Sequence, residues 1–220
     1  MVRIALDGPS GAGKSTLAKA IAKRLNITYL DTGALYRTVG LAVKLHAIDP
    51  ENTSAVTELL KTITVDVELE NGNQVVYLDK KAVGDSIRTP EMSMYASKVS
   101  AIPSVREFLL ETQRGFSRKN SVIMDGRDIG TVILPDADVK FFVTVRPEER
   151  ARRRLKELTE KGIETNFEDV LSDMQARDLA DSTRATAPAI MAKDAIELDN
   201  SGDFAEVVEK AVSIILERTK

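Results

Sequence analysis

The sequence predicts an α/β fold in which a parallel five-stranded sheet is flanked by helices. Short apolar segments alternate with amphipathic helical patterns along most of the chain, an order that builds a parallel sheet with right-handed crossovers. A glycine-rich segment, residues 8–15, separates the first apolar segment from the first helical pattern. In the middle of the chain the sequence pattern changes to strict alternation of polar and apolar residues, which predicts an antiparallel sheet inserted into the parallel fold.

The glycine-rich segment fits the pattern G-x-x-x-x-G-K-[ST], whose backbone N–H groups surround phosphate. It follows a strand predicted over residues 2–6 and precedes a helix that begins near residue 16. A glycine-rich turn with a capping serine is the alternative, but it leaves the flanking strand and helix unexplained. We therefore expect a phosphate-loop fold that binds a nucleoside triphosphate. The residues predicted to bind it are Gly8, Pro9, Ser10, Gly11, Ala12, Gly13, Lys14, Ser15 and Thr16.

Two side chains of the loop carry defined chemistry. Lys14 is expected to reach the terminal phosphates, and Ser15 to place its hydroxyl on Mg²⁺. Asp125 ends an apolar strand predicted over residues 121–125 and is expected to hold the metal through water. Mg²⁺ is therefore the predicted cofactor.

Composition removes several classes of function. The chain has 220 residues, no cysteine and one histidine, which excludes disulfides, thiol catalysis and histidine-rich metal sites. Its net charge of −3 and its 5% of aromatic residues argue against a nucleic-acid partner. No apolar run approaches the length of a membrane span, and the first strand begins directly at the N-terminus. We expect a cytoplasmic monomer with small-molecule partners.

The second strand is predicted over residues 27–31, followed by a helix over 33–45 with Thr32 as its N-cap. Thr32 and the start of this helix could donate hydrogen bonds to a second phosphate group, and Arg37 could form a fork to it. The alternative is a capped helix with a solvent-facing arginine. A short helix over 53–62 is expected to follow.

The inserted subdomain is predicted over about residues 40–104, which leaves 1–39 and 105–220 as the core. Residues 63–70 alternate as a half-buried strand does, and Asn71-Gly72 is a strong hairpin signal. The returning strand is predicted over 74–78 and a third short strand over 80–83.

The remaining core elements alternate regularly. Pro103 opens a helix, Pro147 opens another that runs to about residue 158, and Asn166 caps a third that reaches about residue 180. Further strands are predicted over 139–145 and 195–199, and a last helix over 204–215. Ligands of such sheets bind beyond the carboxyl ends of the strands, where Asp7, Asp31 and Asp125 are expected to lie.

Three clusters of charge are candidates for the site. The residues 125–128 combine two acids and an arginine, which are costly to bury unless they are paired or bind a ligand. Four arginines lie between residues 150 and 154, within a segment predicted as a lid over about 148–165. Arg177, Asp181 and Arg184 share one stripe of a helix. The alternatives are a polar turn with a local salt bridge, a solvated charged face, and an ion pair between Arg177 and Asp181.

These motifs together resemble those of bacterial cytidylate kinases. The resemblance is carried in order by residues 8–15, 30–37, 87–89, 125–131 and 177–185, and it covers nearly the whole chain. It implies transfer of the γ-phosphoryl group of ATP to CMP or dCMP with Mg²⁺, and it identifies the insertion with that family's monophosphate-binding region.

The resemblance also implies roles for particular residues. Ser97, Arg106 and Asp128 would contact the cytosine. The remaining CMP contacts would be Thr32, Tyr36 and Arg37 at the monophosphate, Arg177 and Asp181 at the ribose, and Arg184 at phosphate. Combined with the phosphate-loop motif and the arginines of the predicted lid, this gives a predicted catalytic set of Lys14, Arg127, Arg153, Arg154 and Arg184. Some relatives have glycine in place of Ser15, so Thr16 is the alternative hydroxyl for the metal.

Other functions stay open from the sequence. A kinase for UMP, AMP or shikimate is the nearest alternative, although the long insertion and Asp128 argue against it. A nucleotide-dependent switch would carry an Asn-Lys-x-Asp segment, which the sequence lacks. A nucleic-acid-stimulated ATPase would need more basic and aromatic surface.

Overall fold

The computed structural model describes residues 1–160 and 162–220, so Lys161 of the predicted lid lies outside the described residues. The strands are β1 (Arg3–Asp7), β2 (Thr28–Asp31), β3 (Val65–Glu70), β4 (Asn73–Leu78), β5 (Lys81–Ala82), β6 (Val122–Asp125), β7 (Val139–Thr144) and β8 (Ile196–Asp199). The helices are α1 (Lys14–Leu25), α2 (Thr32–Leu45), α3 (Thr53–Leu60), α4 (Pro90–Ser100), α5 (Pro103–Lys119), α6 (Pro147–Glu160), α7 (Phe167–Thr183) and α8 (Phe204–Arg218).

Two sheets confirm the predicted fold class. The first has five strands in the order β2-β6-β1-β7-β8, and β7 runs parallel to both β1 and β8. The second is antiparallel, in the order β3-β4-β5, with Val67 opposite Val76. Asp7, Asp31 and Asp125 are the last residues of their strands, as the alternation of strands and helices predicted.

The chain forms two compact units. The first comprises Met1 and Thr28–Val122, and the second comprises Val2–Ile27 and Ile123–Lys220. The predicted insert, residues 40–104, falls within the range of the first unit. The boundaries of the insert and of the lid remain predictions.

The core of the first unit is an apolar cluster contributed by helices α2 to α5 and by strands β3 and β4. In the second unit β1 is buried from Ile4 onward, as expected of a strand with neighbours on both sides. A smaller cluster of Ala151, Val170 and Met174 packs α6 against α7.

One local prediction is wrong, and one helix was missed. The N-cap of α2 is Asp31 and not Thr32, because the Asp31 carboxylate accepts the N–H of Ala34 at 3.1 Å while Thr32 is already the first helical residue. Helix α4 was not predicted, although Thr89 and Pro90 give it an ordinary start. By contrast, Asn166 caps α7 as predicted, accepting the N–H of Asp169 at 2.8 Å. Among the described helices, none combines the length and apolarity needed to cross a bilayer.

Candidate functional site

The glycine-rich loop lies between β1 and α1, in the second unit. Gly8 has a φ of +145°, and a Cβ atom there would lie 2.3 Å from the carbonyl oxygen of Val143. Only glycine permits this approach of the loop to β7. Gly13 is the N-cap of α1 and has no side chain of its own to cap the first N–H groups of the helix, as an anion could.

Lys14 is buried at the start of α1, and its Nζ donates to the carbonyl of Pro9 at 2.6 Å. Burial lowers the pKa of the Lys14 ammonium well below its usual value, and Arg127 lowers the pKa further by repulsion. Asp125 and Asp7 oppose this effect by attraction. A concentrated positive charge held this way is suited to an anionic ligand that would relieve the repulsion.

Ser15 and Asp125 form a direct contact. The Ser15 hydroxyl donates to Oδ2 of Asp125 at 2.6 Å, and Asp125 is buried at the end of β6. A hydroxyl and a carboxylate at this spacing are hard oxygen donors of the type Mg²⁺ prefers, with water and phosphate oxygens completing its coordination. No larger acidic or histidine cluster suited to a metal occurs in the described part of the chain. Thr16, the alternative hydroxyl, is exposed on α1.

Asp7 is a buried residue to which sequence reasoning gave no role beyond its place at the end of a strand. Its carboxylate accepts the N–H of Ile129 at 2.8 Å and that of Gly130 at 2.7 Å. Burial raises the pKa of Asp7 to about 6, although the two hydrogen bonds lower it in part. Asp7 thereby fixes the π-helical turn Ile129–Ile133, directly after Asp128.

The acidic and basic residues that follow β6 form one network with the end of α7. Arg127 Nε donates to Asp181 at 3.0 Å, and Arg184 lies 3.6 Å from Asp181 and 3.8 Å from Asp128. Arg177 on α7 acts electrostatically on Lys14. The second unit thus places its predicted recognition residues beside the charges of the phosphate loop.

In the first unit, Asp31 organises the start of α2. Its carboxylate pairs with Arg37 at 2.6 Å, and Gln74 of β4 bonds the backbone N–H and carbonyl of Asp31 at 2.7 and 3.1 Å. The Nε of Arg37 is buried with no hydrogen-bond partner among the described residues. The ion pair with Asp31 therefore fixes the position of Arg37, while its Nε–H stays available to donate to a ligand.

Tyr36, Arg106 and the end of α4 also come together in this unit. The Arg106 guanidinium lies 5.3 Å from the centre of the Tyr36 ring and donates to the carbonyl of Ser100 at 3.0 Å. Ser97 is one turn earlier on α4 and is half-buried. These contacts connect three elements that carry predicted CMP-binding residues.

The arginines of α6 have different environments. Arg150 is buried, and its contacts hold the phosphate loop at Ser10. Arg153 donates to the carbonyl of Asn200 at 2.9 Å, and Arg154 pairs with Glu157 at 3.0 Å. Helical periodicity predicted that these arginines share one face. It could not predict that Arg150 is buried against the phosphate loop.

Asn200 is a second residue that sequence reasoning missed. It is buried after β8, and its side-chain amide donates to the carbonyl of Ala12 at 2.9 Å. Beside it, at the carboxyl ends of β7 and β8, lies a cavity of about 460 Å³. The cavity is lined by Thr144, Val145, Arg146, Asp199 and Ser201.

Each unit therefore collects its own part of the predicted site. The first unit carries Thr32, Tyr36, Arg37, Ser97 and Arg106. The second carries the phosphate loop with Lys14, Ser15 and Thr16, and also Asp125, Arg127, Asp128, Arg153, Arg154, Arg177, Asp181 and Arg184.

Known proteins resemble this chain over nearly its full length. A profile of the cytidylate kinase family matches residues 4–217. The cytidylate kinase of Fervidobacterium nodosum is 48% identical over 219 residues, which cover 99% of this chain and 98% of that protein. The cytidylate kinase of Clostridioides difficile is 48% identical over 213 residues, or 96% and 97% of the two chains. An uncharacterized protein from Eubacterium ventriosum, solved by crystallography, shares the fold with a TM-score of 0.52 at 14% identity and 98% coverage of both chains.

Proposed function

Because this chain belongs to the cytidylate kinase family, we propose that it transfers the γ-phosphoryl group of ATP to CMP or dCMP, giving ADP and CDP or dCDP. The observation that carries the proposal is the near-complete match to relatives named cytidylate kinase. The geometry of the phosphate loop agrees with it, because the loop joins a buried lysine to a pair of hard oxygen donors.

The donor nucleotide is assigned to the second unit. The backbone of residues 8–16 and the start of α1 would hold the phosphates of ATP, with Lys14 at the terminal ones. The cavity beside Asn200 would take the base, since Asn200 also contacts the loop at Ala12. Ser15 would hold Mg²⁺ directly and Asp125 through water, and the bound metal would neutralise charge on the phosphate oxygens.

The acceptor nucleotide is assigned to the residues that the family resemblance implies. In the first unit, Thr32, Tyr36 and Arg37 would bind the monophosphate, and Ser97 and Arg106 the cytosine. In the second unit, Asp128 would accept from the cytosine amino group, Arg177 and Asp181 would bind the ribose, and Arg184 would meet phosphate.

Phosphoryl transfer between two nucleotides needs little covalent help from the protein. Positioning and neutralisation of charge dominate the barrier. Lys14, Arg127 and Arg184 would stabilise the charge that spreads over the moving group, joined by Arg153 and Arg154 of the predicted lid. We assign no general base.

An acceptor panel tests the proposal. Initial rates of ADP formation from ATP would be measured with CMP, dCMP, UMP and AMP at equal concentrations. We expect CMP and dCMP to be phosphorylated with a kcat/KM at least about tenfold above that for UMP and AMP. Comparable or higher values for UMP or AMP would reassign the acceptor, and no acceptor-dependent ADP would reject the kinase activity.

The proposed partners are small molecules only, and the protein is expected to act as a cytoplasmic monomer without nucleic acid or membrane. Size-exclusion chromatography with light scattering would test the oligomeric state. A monomer would have a mass of 24.1 kDa.

A further inference from the structure

Both backbone hydrogen-bonding groups of Ser10 are held by one ion pair. The N–H of Ser10 donates to Oδ1 of Asp178 at 3.0 Å, and its carbonyl accepts from the Arg150 guanidinium at 2.8 Å. The same guanidinium nitrogen donates to the other carboxylate oxygen of Asp178. Arg150 lies on α6 and Asp178 on α7, so two helices meet the phosphate loop at a single residue.

This ion pair is built into the fold. The exposed fractions of the two side chains are 6% for Arg150 and 21% for Asp178. Arg150 Nε also donates to the carbonyl of Val145 at 3.2 Å, which anchors the guanidinium after β7. At the next loop residue, a Cβ atom on Gly11 would lie 2.6 Å from Cε of Met174 on α7, so the loop packs closely against the same pair of helices.

The bonds at Ser10 determine where the neighbouring peptide groups point. In a trans peptide the C=O and N–H point in opposite directions. When Asp178 holds the Ser10 N–H, the carbonyl of Pro9 points the other way, and it accepts Lys14 Nζ at 2.6 Å. When Arg150 holds the Ser10 carbonyl, the N–H of Gly11 points away from α6.

We infer that Arg150 and Asp178 are positioning residues for the phosphate loop, which fix the peptide planes on both sides of Ser10 and thereby aim the loop at the donor phosphates. The inference deepens the proposed function and rests on it. An anion-binding loop gains affinity when its N–H groups are oriented before the ligand arrives, because no ordering of the loop opposes binding. A merely structural ion pair would stabilise the fold without acting on one substrate in particular.

The test compares three variants. Arg150→Met keeps the length of the side chain but removes its donors, and Asp178→Ala removes the acceptor of the Ser10 N–H. Lys156→Met makes the same kind of change on the same helix at a side chain that is 80% exposed. Calorimetric titration would give the affinity of each variant for a non-hydrolysable ATP analogue with Mg²⁺ and, separately, for CMP.

We expect Arg150→Met and Asp178→Ala to weaken analogue binding at least tenfold, with CMP affinity within twofold of wild type. Lys156→Met should change neither. Analogue affinity within twofold of wild type in both site variants would overturn the inference, and so would equal losses for analogue and CMP. If Arg150→Met does not fold by circular dichroism, Asp178→Ala alone decides by the same criteria. If wild type forms no CDP, the proposed function is wrong. The affinities of the variants for the ATP analogue then still test whether Arg150 and Asp178 position the loop.

Discussion

At the scale of single residues, Lys14 is a tightly constrained side chain of the proposed donor site. It is buried, donates to the loop backbone and lies near two arginines that repel it. We predict that Lys14→Ala lowers kcat by at least about 100-fold, because a preorganised cation at the reacting phosphate is lost. The free energy of unfolding should not fall, since burying this cation is itself unfavourable. A near-normal kcat in a folded variant would remove Lys14 from the reaction.

Asp128 carries the proposed preference for cytosine. It is buried close to Arg184, and its carboxylate would accept from the amino group that uracil lacks. We predict that Asp128→Ala lowers the ratio of kcat/KM for CMP over UMP by about tenfold or more. Asp136→Ala, at a side chain that is 70% exposed, serves as the control. An unchanged ratio in the Asp128 variant would assign base recognition elsewhere.

Asp7 predicts a pH dependence of stability. Its pKa is raised from 3.8 to about 6 by burial, so the folded state holds the proton more tightly than the unfolded state does. Its contribution to stability is therefore full below about pH 4 and is lost as the pH rises through 6, by about 3 kcal/mol in total. The side chain in Asp7→Asn cannot ionise, so the variant should not lose this stability as the pH rises.

Urea unfolding of wild type and Asp7→Asn between pH 4 and 7 checks the effect. The free energy of unfolding of the variant should rise relative to wild type by about 2.4 kcal/mol across this range, whatever its offset at pH 4. A difference that does not vary with pH would show that Asp7 titrates normally.

The candidate residues proposed from sequence lie in short motifs, and the residues that sequence reasoning missed make contacts across long separations. Ser15 and Asp125 followed from local patterns at the ends of strands and loops, and the structure brings them into contact. Asp7 bonds residues 122 and 123 positions away, and Asn200 bonds one 188 positions away. Such contacts depend on how the strands are ordered in space, which no local spacing encodes.

At the scale of elements, the contact between α2 and α4 places Ser97 relative to Tyr36. The helices approach closely at Gly40, where a Cβ atom would lie 2.8 Å from Cβ of Tyr95. Helix α4 was not predicted because its buried apolar positions, Met92, Ala96 and Val99, are few and include a small residue. The start signal at Thr89 and Pro90 was nevertheless present in the sequence.

We predict that Gly40→Ala costs about 1–3 kcal/mol of unfolding free energy, because the added methyl group forces α2 and α4 apart. The shift should also raise the KM for CMP more than the KM for ATP. Gly115→Ala, within α5 and with its nearest neighbour at 3.5 Å, should instead stabilise the protein by up to about 1 kcal/mol. A stabilised Gly40→Ala variant with unchanged kinetics would contradict the close approach.

At the scale of the whole molecule, both sheets were predictable because their patterns differ. Continuous apolar strands between helices indicate a parallel sheet, and a half-exposed alternation with an Asn-Gly turn indicates an antiparallel one. The extent of each compact unit was not predictable in the same way. Apart from Met1, the first unit runs from Thr28 to Val122, and both bounds fall within segments whose patterns are those of ordinary core strands.

The most direct test of the central claim follows the phosphoryl group itself. The protein would be mixed with CMP and ATP labelled in the γ-phosphate, and the labelled products would be separated over time. The proposed function predicts that label appears in CDP, one equivalent for each ADP formed, and that inorganic phosphate stays at background. Label that accumulates as inorganic phosphate while CMP is left unchanged would contradict it.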